Sequence, residues 1–252
     1  MINHPSPNFG PRRDGARPDM VILHYTGMES AGAAIERLSD PKAEVSAHYL
    51  VDIDGSITSM VAEDQRASHA GVSAWGDVRD VNSRSIGIEL ANPGHCHGYP
   101  PFPEPQMAAL SSLLGGILTR WSIPPERVLG HACVSPGRKI DPGEKFDWRR
   151  LAHEGLAIWL DAPAGSGSGG ADAARFREAA RRFGYVPDGE EGWSPELLSI
   201  WQSFLMRFRP GEAGAPPHAA GIRHLEALAA KYPVRLDATE ATAAIEPAHG
   251  SS

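Results

Sequence analysis

Histidine, aspartate, glutamate and lysine stand at a few separated positions where, taken together, their types suit metal-assisted hydrolysis. His24 directly follows the apolar run Met20-Val-Ile-Leu23 and leads into Tyr25-Thr26-Gly27. A side chain at the end of a central strand projects from the sheet rim, where ligand sites in open α/β sheets form. Further on, the segment from Gly130 to Gly143 carries His131 and Asp141. Pro136, Gly137, Pro142 and Gly143 stiffen that loop, as a preorganised site requires. Two imidazoles and a carboxylate meet the ligand count of a catalytic zinc site, which keeps a further position for water. Glu89 interrupts the apolar strand Ile86-Gly-Ile-Glu-Leu90, so it is either partnered or functional. Burial would raise its pKa toward the range useful for proton transfer at neutral pH. Lys139 lies two residues before Asp141, close enough to face a developing oxyanion.

Each feature taken alone has a plainer reading. His24 fits a hydrogen-bonded histidine at a strand end, and the 130–143 loop fits a surface turn with incidental polar residues. Glu89 fits a structural ion pair and Lys139 a solvated loop lysine.

The elements that must position these residues follow from periodicity. Strands are expected at Met20–Leu23, Ala47–Val51, Ser56–Val61, Ser85–Leu90 and Arg127–Gly130, with Asp54-Gly55 as a hairpin turn. Met107, Leu110, Leu114, Ile117 and Trp121 recur at helical spacing, with Pro103 and Pro105 at the start. Trp148, Leu151, Leu156 and Trp159 predict another helix ending near residue 162. Pro163-Ala-Gly-Ser-Gly-Ser-Gly-Gly170 reads as a flexible linker. After it the signal is helical only, in three segments carrying Phe176 to Phe183, Leu197 to Phe208 and Ile222 to Tyr232. The expected architecture is α/β: a central mixed β-sheet flanked by helices in residues 1–162, followed by a small all-helical domain in 171–234. Residues 235–252, rich in Ala, Thr and Glu, read as a disordered tail.

Composition bounds the partners. A net charge of -7 over 252 residues argues against nucleic acid held by its phosphates. No stretch of about 18 apolar residues predicts a membrane span. The first 20 residues lack the apolar run of a signal peptide, so the sequence as it stands predicts a cytoplasmic protein; a trimmed leader would make it periplasmic or extracellular. Cys96 and Cys133 form either one disulfide or two solitary thiols. The two histidines around Cys96, His95 and His97, fit a solvated loop better than a second metal site.

Val21-Ile-Leu-His-Tyr-Thr26, Ser46-Ala-His-Tyr-Leu-Val51, His69-Ala-Gly71, Ser85-Ile-Gly-Ile-Glu-Leu90 and the whole 130–143 loop together resemble the type-2 N-acetylmuramoyl-L-alanine amidases. Order and spacing are most similar to the AmiD and AmpD branch, related in fold to phage T7 lysozyme and peptidoglycan recognition proteins. The resemblance covers residues 18–162. It implies a Zn²⁺ cofactor held by His24, His131 and Asp141, with Glu89 as catalytic acid/base and Lys139 steadying the tetrahedral intermediate. It implies that His69, Asn82 and nearby Trp75 line the substrate groove and that His48 is structural. The substrate would be peptidoglycan or a muropeptide, cut by a monomeric enzyme between N-acetylmuramic acid and L-alanine. One position departs from the pattern: Asp80 stands where relatives carry an arginine, with Arg79 beside it. The helical segment resembles, more faintly, the peptidoglycan-binding module of AmiD-type amidases; a small bundle with an aromatic core is the alternative. The rival reading for the whole is a peptidoglycan recognition module that binds wall fragments without cutting them.

Overall fold

A computed structural model describes residues 1–163 and 170–234. Positions 164–169 of the expected linker and the whole expected tail, 235–252, lie outside the described residues. Along the chain the elements are β1 (Ile2–Asn3), β2 (Phe9–Pro11), β3 (Met20–Tyr25), α1 (Ala31–Ser39), β4 (Tyr49–Val51), β5 (Ile57–Ser59), β6 (Gln65–Ala67), α2 (Val81–Arg84), β7 (Ser85–Leu90), α3 (Glu104–Trp121), β8 (Val128–Gly130), α4 (His131–Val134) and α5 (Trp148–His153). Three helices follow: α6 (Ala173–Phe183), α7 (Pro195–Phe208) and α8 (Ala219–Lys231).

Six strands form one mixed sheet in the order β1-β5-β4-β7-β3-β8. The β4–β5 hairpin is antiparallel and the other pairings are parallel, so β3 lies between two parallel neighbours, β7 and β8. Period-2 alternation sorts the side chains of these strands. Val21 and Leu23 of β3 join Ile86, Ile88 and Leu90 of β7 in a core closed by α3 and α5. Met20 and Ile22 point the other way. On β7 that opposite face holds Ser85, Gly87 and Glu89, and the register sets Glu89 directly beside His24.

The opposite face is covered by the C-terminal helices. Met20, Ile22, Leu129, Cys133 and Val134 share one buried cluster with Phe176, Phe183, Leu197, Trp201, Phe204 and Leu225. Polar contacts reinforce it. Arg207 Nη2 donates to the Val128 carbonyl at 2.9 Å, and Ser203 Oγ donates to the Ala132 carbonyl at 2.5 Å. The fold is therefore a mixed sheet flanked by helices, with the helical segment packed onto the sheet.

Helix ends follow local chemistry. Ser194 accepts from the Leu197 N–H at 3.1 Å and Pro195 takes the first position of α7. The helix predicted from Trp148 through Trp159 stops instead at His153. Gly155 has φ of 73°, its N–H donates to the Ala152 carbonyl, and the Leu156 N–H folds back to Leu151 at 2.8 Å. This paired closure turns the chain before the apolar spacing is used up. Both cysteines are free; Cys96 is exposed and Cys133 buried. Among the described residues no helix is long and apolar enough to cross a membrane.

Candidate metal centre

The carboxyl ends of β3, β7 and β8 lie side by side, and each delivers one group. His24 and Glu89 are neighbours across the β3–β7 ladder, while His131 follows β8 directly. Asp141 returns along the Pro/Gly loop, where the Ala132 N–H donates to its backbone carbonyl at 2.9 Å. Its Oδ2 then lies 3.0 Å from His24 Nδ1 and 3.1 Å from His131 Nδ1, and the two Nδ1 atoms are 3.0 Å apart. All three residues are buried. They are the only group of three or more His, Cys, Asp or Glu among the described residues arranged to hold a metal ion.

Proton placement tests whether a cation belongs there. His131 Nε2 lies 3.0 Å from the Ala70 carbonyl, which can only accept, and 3.3 Å from Arg138 Nη2, which can only donate; the shorter contact puts the ring proton on Nε2. A neutral His131 therefore turns a lone pair from Nδ1 toward Asp141 Oδ2, itself an acceptor when ionised. Lone pairs this close repel one another unless a positive charge sits among them, so the residues present fit a metal ion. Burial also drives the His24 pKa down to about 4, keeping that imidazole neutral and able to ligate.

Glu89 and Lys139 line the same cavity, of about 350 Å³, with the three residues. One Glu89 oxygen, Oε2, is buried with no hydrogen-bond partner. Burial first, and then the negative charge of Asp141, push the Glu89 pKa up to about 8, while the charge on Lys139 works against the rise. That places a carboxyl able to exchange a proton near neutrality beside the candidate metal site.

The remaining expected site residues are placed differently. His69 reaches the cavity wall, but its Nδ1 lies 3.0 Å from His24 Nε2, behind the candidate ligand. Asn82 is buried and does not line the cavity. Its Oδ1 accepts from the His69 and Ala70 N–H groups at 3.1 and 2.8 Å, which fixes the segment that offers the Ala70 carbonyl to His131. Trp75 is 2% exposed and packs edge-on against Phe183 and Tyr185, with Gly184 crossing its indole. A large apolar ring covered by α6 is core, not groove wall. Asp80 caps α2 and pairs with Arg66 at 3.3 Å and Arg13 at 3.5 Å, away from the cavity. His48 is fully buried, accepting at Nδ1 from the Gly87 N–H at 2.9 Å and donating from Nε2 to the Gln65 carbonyl at 3.1 Å. His95 bonds Tyr25 and Glu144, both at 3.0 Å, and is no part of a metal cluster.

Two contributors carried no signal in the spacing. Arg138 donates to the carbonyls of Ala70 and Val72 at 2.6 and 2.9 Å and to Ser135 Oγ at 2.7 Å, pinning the Asp141 loop to the 70–72 segment. Ser203 reaches the same loop from α7 through Ala132. Both contacts are between residues far apart in sequence, so spacing along the chain gives no sign of them.

Comparison with known proteins identifies the family. Residues 14–144 match the family model described as N-acetylmuramoyl-L-alanine amidase. The chain is 36% identical over 240 residues to the N-acetylmuramoyl-L-alanine amidase AmiD of Escherichia coli (strain K12), covering 86% of this chain and 84% of that protein. The solved structure of AmiD from E. coli, in complex with the substrate anhydro-N-acetylmuramic acid-L-Ala-D-gamma-Glu-L-Lys, superposes with a TM-score of 0.77 at 32% identity, covering 88% and 91% of the two chains. AmpDh3 from Pseudomonas aeruginosa in complex with anhydromuramic pentapeptide gives 0.75 at 30% identity, over 88% of this chain and 95% of that one. By its matched domain and by its similarity along nearly its whole length, the chain belongs to the N-acetylmuramoyl-L-alanine amidase family and is an enzyme of that kind.

Proposed function

We propose that this protein is a zinc-dependent amidase that hydrolyses the bond between the lactyl group of N-acetylmuramic acid and L-alanine in muropeptides or peptidoglycan. The observation that carries the reading is the placement of Glu89, with its unbonded oxygen, on the strand next to His24 and in one cavity with His131 and Asp141. Two nitrogens and one carboxylate oxygen are a donor set that zinc favours, and they are the residues that would hold it. When bound, zinc would supply Lewis acidity for the scissile carbonyl and a lowered pKa for water.

The protein's own groups then divide the work. Glu89 takes a proton from the attacking water as its oxygen adds to the lactyl carbonyl carbon. It returns that proton to the amide nitrogen as the C–N bond breaks, freeing the amine of L-alanine. Lys139, on the cavity wall, offsets the negative charge that develops on the carbonyl oxygen. His69, Asn82 and Trp75 act on the fold of the site and not on substrate.

The bound ligands of the AmiD and AmpDh3 structures are both anhydromuramyl peptides, which supports a soluble muropeptide as substrate here. The test is mass spectrometry of products from an anhydromuramyl tripeptide and from intact sacculi, with one equivalent of zinc. Release of free stem peptide is expected. Intact muropeptide after prolonged incubation with zinc-loaded protein would overturn the reading and leave a module that only binds wall fragments.

A further inference from the structure

His69 and Ser85 lie outside the proposed catalytic and ligand set, yet they form a hydrogen-bonded chain that ends on His24. Ser85 Oγ is 2.6 Å from the Val81 carbonyl, which can only accept, so the hydroxyl proton is committed there. His69 Nε2 lies 3.2 Å from the same Ser85 oxygen, which must therefore accept, and Nε2 of His69 carries a proton. In a neutral ring the other nitrogen, Nδ1, then holds a lone pair. That Nδ1 is 3.0 Å from His24 Nε2, so His24 must be the donor and carry its own proton on Nε2. His24 Nδ1 is left with a lone pair, aimed at Asp141 Oδ2 and His131 Nδ1.

We infer that His69 and Ser85 are positioning residues that fix His24 in its Nε2–H form and hold its Nδ1 ready for a metal ion. The chain has a direction because it starts at a backbone carbonyl, and no link can reverse while that carbonyl stays in place. The sequence accommodates it at two positions. The His69 ring lies flat against Gly87, where any Cβ would overlap it, so the glycine of Ile86-Gly-Ile88 makes room for the relay. Asn82 fixes the His69 backbone, as described above. His131 receives the same treatment by a shorter route, through the Ala70 carbonyl. Both imidazoles thus present Nδ1 to one point, and each is held by a partner at Nε2. Outer partners of this kind orient metal-binding imidazoles generally, and their loss lowers metal affinity by roughly 10–100-fold.

The inference rests on reading the three residues as a metal site, and two measurements separate its failure from failure of that reading. The first is ¹⁵N NMR of the histidine rings in the metal-free full chain. His24 and His69 are both expected to show a protonated Nε2 and an unprotonated Nδ1. A proton on Nδ1 of either ring overturns the relay, whether or not zinc binds. The second is Zn²⁺ affinity by competition with a chromophoric chelator. His69→Leu and Ser85→Ala should bind Zn²⁺ more weakly, His69→Leu by roughly 10–100-fold. His69→Gln should recover most of the loss, because its carboxamide can accept from His24 and donate to Ser85 in the same sense. Wild-type affinity in His69→Leu, or no difference between the Leu and Gln variants, overturns the proposal. Should His69→Leu fail to fold, the wild-type NMR result decides it. Absence of Zn²⁺ binding by wild type with the expected NMR pattern would refute the metal site and leave the relay standing.

Discussion

The hydroxyl of Ser203, on α7, donates to the carbonyl of Ala132, the residue that follows His131. A helix from the last third of the chain thus bonds the turn from which a candidate metal ligand projects. The Ala132 N–H is engaged by the Asp141 carbonyl, so that one peptide segment couples α7, His131 and Asp141. Ser203→Ala would leave the buried Ala132 oxygen unpaired. It should cost about 1–3 kcal/mol of unfolding free energy in urea titrations and weaken zinc binding as well. A variant as stable as wild type would show that the contact contributes nothing.

Zinc should raise the thermal midpoint, by an amount corresponding to roughly 2.7 kcal/mol when free metal stands at a hundred times its dissociation constant. Asp141→Asn should lose that response. Its carboxamide brings N–H donors to the His24 and His131 lone pairs, so without metal the variant should melt no lower than metal-free wild type. Calorimetry with and without a chelator checks both halves.

Glu89→Gln should keep stoichiometric zinc and lose at least about 10²-fold in kcat, as removal of a general acid/base does. It should also change stability with pH in the metal-free protein. The folded-state pKa of about 8 lies above the ordinary 4.5, so folded protein holds a proton that unfolded chain releases between those values. Wild-type stability is therefore lost through this group as pH rises across that window. The advantage of Gln over Glu should grow from pH 4.5 to 8 and then level off. Urea midpoints at three pH values would read the slope, and a constant difference would contradict it.

Trp75→Ala should act on folding and leave substrate binding alone. Removing a ring buried against Phe183 and Tyr185 should cost about 3–5 kcal/mol. Among molecules that remain folded, KM should match wild type. A raised KM would return Trp75 to the substrate groove.

What could be read before the structure was what local pattern encodes. Ser85–Leu90 shows its two faces in six letters, and the strand has those bounds. His24 after an apolar strand and Asp141 in a stiffened loop were legible as rim positions, because strand ends place side chains predictably. The surroundings of Trp75 are made by Gly184, over a hundred residues later, so no local spacing shows them. The helix after Trp148 is shorter than its apolar spacing predicts, because that spacing cannot show that Gly155 will turn the chain. Arg138 and Ser203 act through backbone carbonyls, which are the same at every position and so leave no trace in the sequence. The His69–Ser85 contact was invisible for a related reason. Each residue belongs to a recognisable motif, and only the folded chain shows that the two motifs touch.

The helices cover a sheet face instead of standing beside it, and this changes what cutting the chain would do. Fragments ending at 163 and starting at 170 would each expose half of a single apolar seam. They should find one another in solution and reconstitute a split enzyme, with activity that rises with fragment concentration. For the same reason, grafting the last three helices onto an unrelated hydrolase would transplant a lid without its box.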